Sequence, residues 1–556
     1  MQNNKEQQKK KTLAEKKYDY TIRKLELPRY AETKKKKFLI IQIDALSCEV
    51  LKEGMDKGYC KFLRKLIKEK GYKISPYNPG IPSTTPSVQA SILFGDNSSI
   101  PGFRFVDKKK KKQWSCGNPY DVNALERRLF SKHEGILEGG SSYCNHWTGG
   151  APRAILTMSA MTKKKRMHRI KESTLWALLL LNPVSLLRVG HYTYSEFILE
   201  LFESVFYKAR AIFRGEHAHF GIVFPLRRVF MGAIFQELVT QGVILDIKRN
   251  VPKIYINFSG YDDLTHKRGA KTRSAFMALR GIDRRIKRIC KKAGEDYEVF
   301  ILSDHGQTDS VPFAKIEGME IDEYIRIATQ VDAQAFESMY EGKLSLARAA
   351  FNNARDGIDA LSAPLRWVSN WFIRLYLKKV KNDRTDFKWG DKEKIFVETS
   401  SCLAHVYFNI STDTLNLSAI KKKYPDLIFN LLKSKGIGMI VAREGDEIHV
   451  LNRDGSAVSG QSVKKTGKDF LSVYGNEELL ARQLKNLASM KNSGDLMIFG
   501  NYDGKKTVSF VEHYGSHGGV GGDMCEAFLM SKKKHDISDS LNAKVIYDIL
   551  KGEMRE

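Results

Sequence analysis

Three apolar runs along the chain each lead to an acidic residue. FLIIQIDAL (38–46) is continuously apolar and β-rich, the pattern of a parallel strand buried on both faces. KIYINFSG (253–260) and YEVFILSD (297–304) repeat that pattern. Asp44, Asp262 and Asp304 therefore stand at strand ends or just beyond them. Between the second and third runs, SAFMALRGIDRRIKRICKKAG (274–294) has helical spacing. The helix supplies a crossover, and the strand–helix–strand order predicts a parallel sheet. CEVLKEGMDKGYCKFLRKLIKEKG (48–71), after the first strand, also has helical spacing. These elements predict an α/β fold with a mostly parallel central sheet flanked by helices, in which ligands sit at the carboxyl ends of the strands.

The pattern also divides the chain. Residues 1–37 form a lysine-rich arm, expected to be disordered. Core segments are expected at 38–107, 251–310 and 501–556. Two long insertions separate them, at 108–250 and 311–500. The first opens on Lys108–Lys112 and holds the Gly/Ser loop GGSSYCNHWTGG (139–150) and a basic-then-apolar stretch at 163–181. The second begins as helix and turns to strand near 398–411 and 438–455.

Composition narrows the setting. The 556 residues are 42% hydrophobic, enough for a large core, and carry a net charge of +28. Such a surface attracts anionic partners. The seven cysteines are dispersed and odd in number, which argues against a disulfide framework and for a reducing compartment. The polar N-terminus is not a secretory signal. The leucine-rich uncharged run Ser173–Leu187 is too short to span a bilayer and contains Asn182–Pro183. A cytoplasmic protein is expected, soluble or peripheral on the inner face of the membrane. The 163–188 stretch could lie on anionic lipid or pack as a buried amphipathic helix. The lysine runs lack interleaved aromatics, which argues against nucleic acid.

The candidate chemistry lies in short, scattered segments. Asp262 and His266 have D-x-x-x-H spacing, which on a helix puts both side chains on one face; Asp263 is the rival for the first position. Asp304 and His305 are adjacent at a strand end. His517 sits in the glycine-rich GSHGGVGG, with His513 nearby as a structural histidine that competes with it. Mixed carboxylate and imidazole sets suit zinc. Phosphoryl transfer also needs a nucleophile, and PGIPSTTPS offers Thr85, Thr84 and Ser83.

These segments, with ILFGDNSSIPGFR (92–104), resemble the type I phosphodiesterase/nucleotide pyrophosphatase branch of the alkaline phosphatase superfamily. The resemblance covers about 38–106, 253–310 and 507–530. It implies one metal held by Asp262, His266 and His517, and a second held by Asp44, Asp304, His305 and the Thr85 hydroxyl. It implies two divalent ions, zinc first and manganese as the alternative. Thr85 would be the nucleophile, forming a phospho-threonine that water hydrolyses. Pro86 after the threonine, and GSHGGVGG where an Asn-containing loop is common, depart from the better-known phosphodiesterases.

Arg104 is a candidate phosphate contact through its planar fork. Asn145 is a candidate donor to the substrate, and Trp147 reads as a packing residue. The expected substrates are phosphodiesters or pyrophosphates, then phosphomonoesters. The alternatives are phosphotransfer to an alcohol or a mutase reaction on the same intermediate, and a membrane-surface binding protein without turnover.

Overall fold

The computed structural model describes residues 36–162, 183–213, 228–329, 333–336, 394–460 and 463–555, with short pieces at 18–19, 22–23 and 27–31. The basic-apolar stretch 163–181 lies outside the described residues, as do 337–393. Among the described residues, no helix is long and apolar enough to cross a membrane.

A seven-stranded sheet forms the centre. Its order is Lys73–Tyr77, Ala527–Ser531, Tyr297–Leu302, Lys37–Ile43, Lys253–Phe258, Ser141–Tyr143 and Arg153–Ile155. All strands run parallel except Ala527–Ser531. The three strands read from the apolar runs lie side by side, with Lys37–Ile43 in the middle. Leu39, Ile40, Ile41 and Ile43 are fully buried, as a strand covered on both faces requires.

The helices pack around this sheet as two groups. Lys61–Lys70, Arg273–Ala293 and Gln236–Lys248 form one; Thr85–Phe94 and Lys544–Arg555 form the other. The predicted crossover helix is Arg273–Ala293. The single helical stretch expected over 48–71 is instead two helices, Cys48–Asp56 and Lys61–Lys70. Gly58 breaks it, with a φ of 76° that glycine adopts without strain.

Two expected segment roles differ from what the sheet shows. The stretch 108–250, expected as an insertion, supplies the strands Ser141–Tyr143 and Arg153–Ile155. These are only three residues long, too short for periodicity to reveal. Within the arm 1–37, expected to be disordered, Tyr18, Ile22 and Leu27 are buried against the core. The Tyr18 hydroxyl donates to Gln241 Oε1.

The stretch 311–500 builds an eight-stranded sheet from Ala333–Phe336 to Val463–Gly467, antiparallel except for its first pair. It has its own apolar clusters, one around Ile395, Phe408 and Ile440, another around Leu403, Met439 and Phe499. A third, small sheet closes the site. Thr308–Pro312 pairs in parallel with Thr507–Ser509 and antiparallel with Gly515–Ser516.

Candidate metal centre and nucleophile

Topology explains why the scattered acids meet. Tyr297–Leu302, Lys37–Ile43 and Lys253–Phe258 are parallel neighbours, so their carboxyl ends open on one edge. Asp44 directly follows the middle strand, and Asp304 stands two residues past Leu302. Asp262 and His266 lie one turn apart on the short helix Gly260–Arg268 after the third strand. The small third sheet then brings Gly515–Ser516 against Thr308–Asp309, which sets His517 beside His305 with ring centroids 4.0 Å apart.

Two buried groups result: Asp262, His266 and His517, and Asp44, Asp304 and His305. In each, one ligand atom from every residue lies within 4.8 Å of the others. His266 Nε2 is 3.0 Å from Asp262 Oδ1, and His517 Nε2 is 3.7 Å from the same oxygen. His305 Nε2 is 3.4 Å from Asp304 Oδ2. Asp263 is buried beside Asp262 but belongs to neither group. The His513 ring stacks on His266 at 4.1 Å, and its Nδ1 lies 3.3 Å from Ser401 Oγ.

The imidazoles are oriented as ligands. Nδ1 of His266 lies 2.8 Å from the Gly515 carbonyl, Nδ1 of His517 lies 2.9 Å from that of Ser83, and Nδ1 of His305 lies 3.0 Å from that of Gly306. A carbonyl only accepts, so each Nδ1 carries the proton and each Nε2 presents its lone pair to the site. Burial holds His517 well below the usual histidine range, and the neighbouring His305 and His266 push it the same way. A neutral imidazole is the form that binds a metal. Asp304 Oδ2 is buried and accepts no hydrogen bond. Three carboxylates and three such imidazoles fit divalent metal ions.

Thr85 is the first residue of the helix Thr85–Phe94. Its Oγ1 donates to Asp44 Oδ1 at 3.2 Å and lies 3.2 Å from His305 Nε2. The other two hydroxyls of the loop are elsewhere: Ser83 Oγ accepts from Gly518 N at 3.0 Å, and Thr84 Oγ1 is buried with no hydrogen-bond partner. The helix is buried along its whole length. Trp147 Nε1 anchors its first turn by donating to the Pro86 carbonyl at 2.7 Å. Gln89 Nε2 ties it to Gln42 Oε1 on the central strand at 2.9 Å.

Several supporting groups escaped the reading of the sequence. Asn257 Nδ2 donates to Asp44 Oδ2 at 2.9 Å, and Gln307 Nε2 donates to Asp262 Oδ1 at 2.7 Å. Ala45 N donates to Asp304 Oδ1 at 3.1 Å. Each fixes a carboxylate's rotamer from behind. Each amide stands in a different segment from the acid it touches, Asn257 in KIYINFSG and Gln307 in SDHGQT, so the sequence alone does not pair them. Tyr77, outside every motif, donates its hydroxyl to the Ser303 carbonyl at 2.7 Å. Gly306 matters for close approach, since a Cβ there would stand 2.0 Å from the Asp523 carbonyl oxygen.

The two candidate substrate contacts have protein partners of their own. Asn145 is fully buried; its Nδ2 donates to Ser142 Oγ at 2.8 Å and its Oδ1 accepts from Gln89 Nε2 at 3.1 Å. That amide links Ser142 to Gln89 of the helix Thr85–Phe94. Arg104 is buried on the strand Arg104–Asp107, where its charge acts on Glu398 of the second sheet.

The fold is thus α/β, with a mostly parallel central sheet flanked by helices. Residues 38–386 match the model of the type I phosphodiesterase/nucleotide pyrophosphatase family. The match spans more than half of the sequence, and the chain belongs to that family as a phosphoric ester hydrolase. His517 lies beyond the matched residues. Among solved structures, phosphonoacetate hydrolase from Sinorhizobium meliloti 1021, in complex with phosphonoacetate, is similar over 93% of this chain and 96% of its own, at 11% identity and a TM-score of 0.42. An inactive murine ectonucleotide pyrophosphatase/phosphodiesterase 5 in complex with AMP is similar over 94% and 95%, at 10% identity and 0.44. The human counterpart gives 93% and 95%, at 9% and 0.45. No curated protein matches the sequence.

Proposed function

We propose that the protein hydrolyses phosphodiester or pyrophosphate bonds through Thr85, with phosphomonoesters as poorer substrates. The observation that carries this reading is the Thr85 hydroxyl, 3.2 Å from both Asp44 Oδ1 and His305 Nε2 and held at the start of a buried helix. Asp262, His266 and His517 would hold one divalent ion, and Asp44, Asp304 and His305 with Thr85 the other. When bound, such ions draw charge from the phosphoryl oxygens and ease ionisation of a hydroxyl; the mixed donor set favours zinc, with manganese as the alternative.

Asp44 accepts the threonine's hydrogen bond and orients Oγ1. Thr85 Oγ1 gives up its proton and forms a bond to phosphorus as the bond to the leaving oxygen breaks; the leaving group departs with the electron pair and takes up a proton from water. Water attacks the resulting phospho-threonine, releasing the phosphoryl group and restoring the hydroxyl. The first amides of the Thr85–Phe94 helix place partial positive charge beside the phosphoryl oxygens. The seven unpaired cysteines support a reducing compartment. A peripheral seat on anionic lipid accompanies this reading, supported by the exposed Leu187, Tyr194 and Phe202 on the helix Pro183–Phe213.

The test is turnover of nitrophenyl phosphate mono- and diesters by chelated protein reconstituted with zinc, manganese or magnesium. Thr85→Ala should abolish turnover while metal content stays near wild type. Retained turnover would sink the nucleophile assignment. An added acceptor alcohol separates hydrolysis from phosphotransfer by its products.

A further inference from the structure

A cavity of about 200 Å³ lies between the helices Pro183–Phe213 and Arg273–Ala293 and the π-helical turn Phe230–Phe235. Arg280, Arg284 and Arg285 line it from one helix; His191, Tyr192 and Ser195 line it from the other. Arg285 is fully buried. Its Nη2 donates to the carbonyls of Gly232 and Ala233 at 3.1 and 3.3 Å, while its buried Nε has no hydrogen-bond partner. The guanidinium lies over the Tyr192 ring, 4.6 Å from its centroid.

Two acids nearby, Glu196 and Glu237, both act on the Arg285 charge, and each has another arginine as its hydrogen-bond partner. Glu196, which lines the cavity, accepts from Arg228 Nε at 2.8 Å. Glu237, which acts on Arg285 electrostatically, accepts from Arg288 at 2.7 and 2.6 Å. Of the three arginines that line the cavity, Arg284 is exposed, Arg280 is half-buried, and Arg285 is buried with its Nε donor unused; a buried guanidinium with a spare donor favours an anionic partner. Burial itself works against the Arg285 charge and pushes its pKa down. A planar fork of donors in a partly enclosed space is the geometry that takes up phosphate oxygens, and the volume admits a phosphoryl group with waters.

We propose that this cavity is a second anion site, separate from the metal centre, that binds a phosphate-type oxyanion, free or as the head of a larger ligand. The cavity reaches Gly260, two residues before Asp262, so an occupied site abuts the helix that carries Asp262 and His266.

The test compares wild type with the double variant Arg280→Ala/Arg284→Ala, which leaves the buried bonds of Arg285 in place, and with Arg285→Lys. Inorganic phosphate is titrated calorimetrically into metal-loaded protein at fixed ionic strength. Vesicles of phosphatidylcholine with and without phosphatidic acid form the second arm. For a free anion, wild type shows two classes of phosphate site, and the double variant loses one or weakens it roughly tenfold or more. For a lipid head, the preference for phosphatidic acid falls in the double variant while phosphate isotherms stay the same. Phosphate isotherms and vesicle binding that are identical in all three proteins overturn the proposal. A failed nucleophile assignment would leave these outcomes readable, because none of them uses turnover.

Discussion

Glu398 offers a prediction whose magnitude follows from its surroundings. It lies on the strand Ile395–Ser400 and is fully buried. Its Oε1 accepts from Gln113 Nε2 at 2.8 Å, while Oε2 is buried with no hydrogen-bond partner. Burial pushes the carboxyl up to about 7 from an ordinary 4.5, against the opposing pull of Arg104 and the Gln113 bond. Its cross-strand neighbour His405 is lowered to about 4, chiefly by burial, and so supplies no counter-charge near neutrality.

The sign follows from proton counts. The unfolded chain releases this proton near pH 4.5, and the folded chain keeps it until about 7. Between those values the folded state binds more protons, so stability falls as pH rises through the window. At about 1.4 kcal/mol for each tenfold step in proton affinity, the loss is complete above pH 7 and amounts to about 3 kcal/mol. Glu398→Gln keeps an acceptor for Gln113 and removes the ionisable group. Its amide nitrogen adds a constant offset of about 1–3 kcal/mol, because no acceptor waits at Oε2. The variant should therefore gain about 3 kcal/mol relative to wild type on going from below pH 4.5 to above pH 7. Urea unfolding of both proteins across that range reads the difference. A variant-minus-wild-type stability that does not change with pH would refute the reasoning.

Two further substitutions test the frame. Lys108 Nζ pairs with Asp495 at 2.9 Å, both buried, and Asp495 also accepts from the amides of Phe408 and Leu415. Lys108→Met strands that carboxylate and should cost about 3–5 kcal/mol in urea unfolding; a loss under about 1 kcal/mol would contradict the buried pair. Gly306→Ala forces a methyl toward the Asp523 carbonyl at 2.0 Å and must displace the Asp304–His305 pair. Turnover should fall about a hundredfold, as for a displacement near 1 Å, and wild-type kinetics would refute the packing argument.

The central strands and the acids at their ends were legible because a strand buried on both faces writes itself as a continuous apolar run. Asp44, Asp262 and Asp304 were found that way, and His266 and His305 followed by spacing. The strands Ser141–Tyr143 and Arg153–Ile155 were not legible, since three residues carry no period. Nor was the destination of Arg104 and Asn145. Each sits in a segment that looks like a binding loop, and only the tertiary structure reveals Glu398 opposite one and Gln89 opposite the other. Asn257 and Gln307 were overlooked for a related reason. A neutral amide has no charge signature, and its role is defined by the carboxylate it touches.

The stretch 311–500 reads as an insertion, and it props the site. Cys402 N donates to the His517 carbonyl at 3.3 Å, Phe510 N donates to the Ser401 carbonyl at 2.7 Å, and Phe103 N donates to Ser400 Oγ at 2.8 Å. The turn between two strands of the second sheet thus sets the height of the His517 loop. Gly518 permits that contact: its φ is 90°, and a Cβ would meet the Ser400 carbonyl oxygen at 2.5 Å. Gly518→Ala combines left-handed strain with that clash and should move His517 while leaving Asp44, Asp304 and His305 in place. On the proposed ligand assignment, the variant loses one metal per chain at a chelator concentration that leaves wild type fully loaded, and the second metal stays. Elemental analysis after dialysis against graded chelator reads this directly. Equal retention of both metals by variant and wild type would show that His517 does not depend on the second sheet for its position.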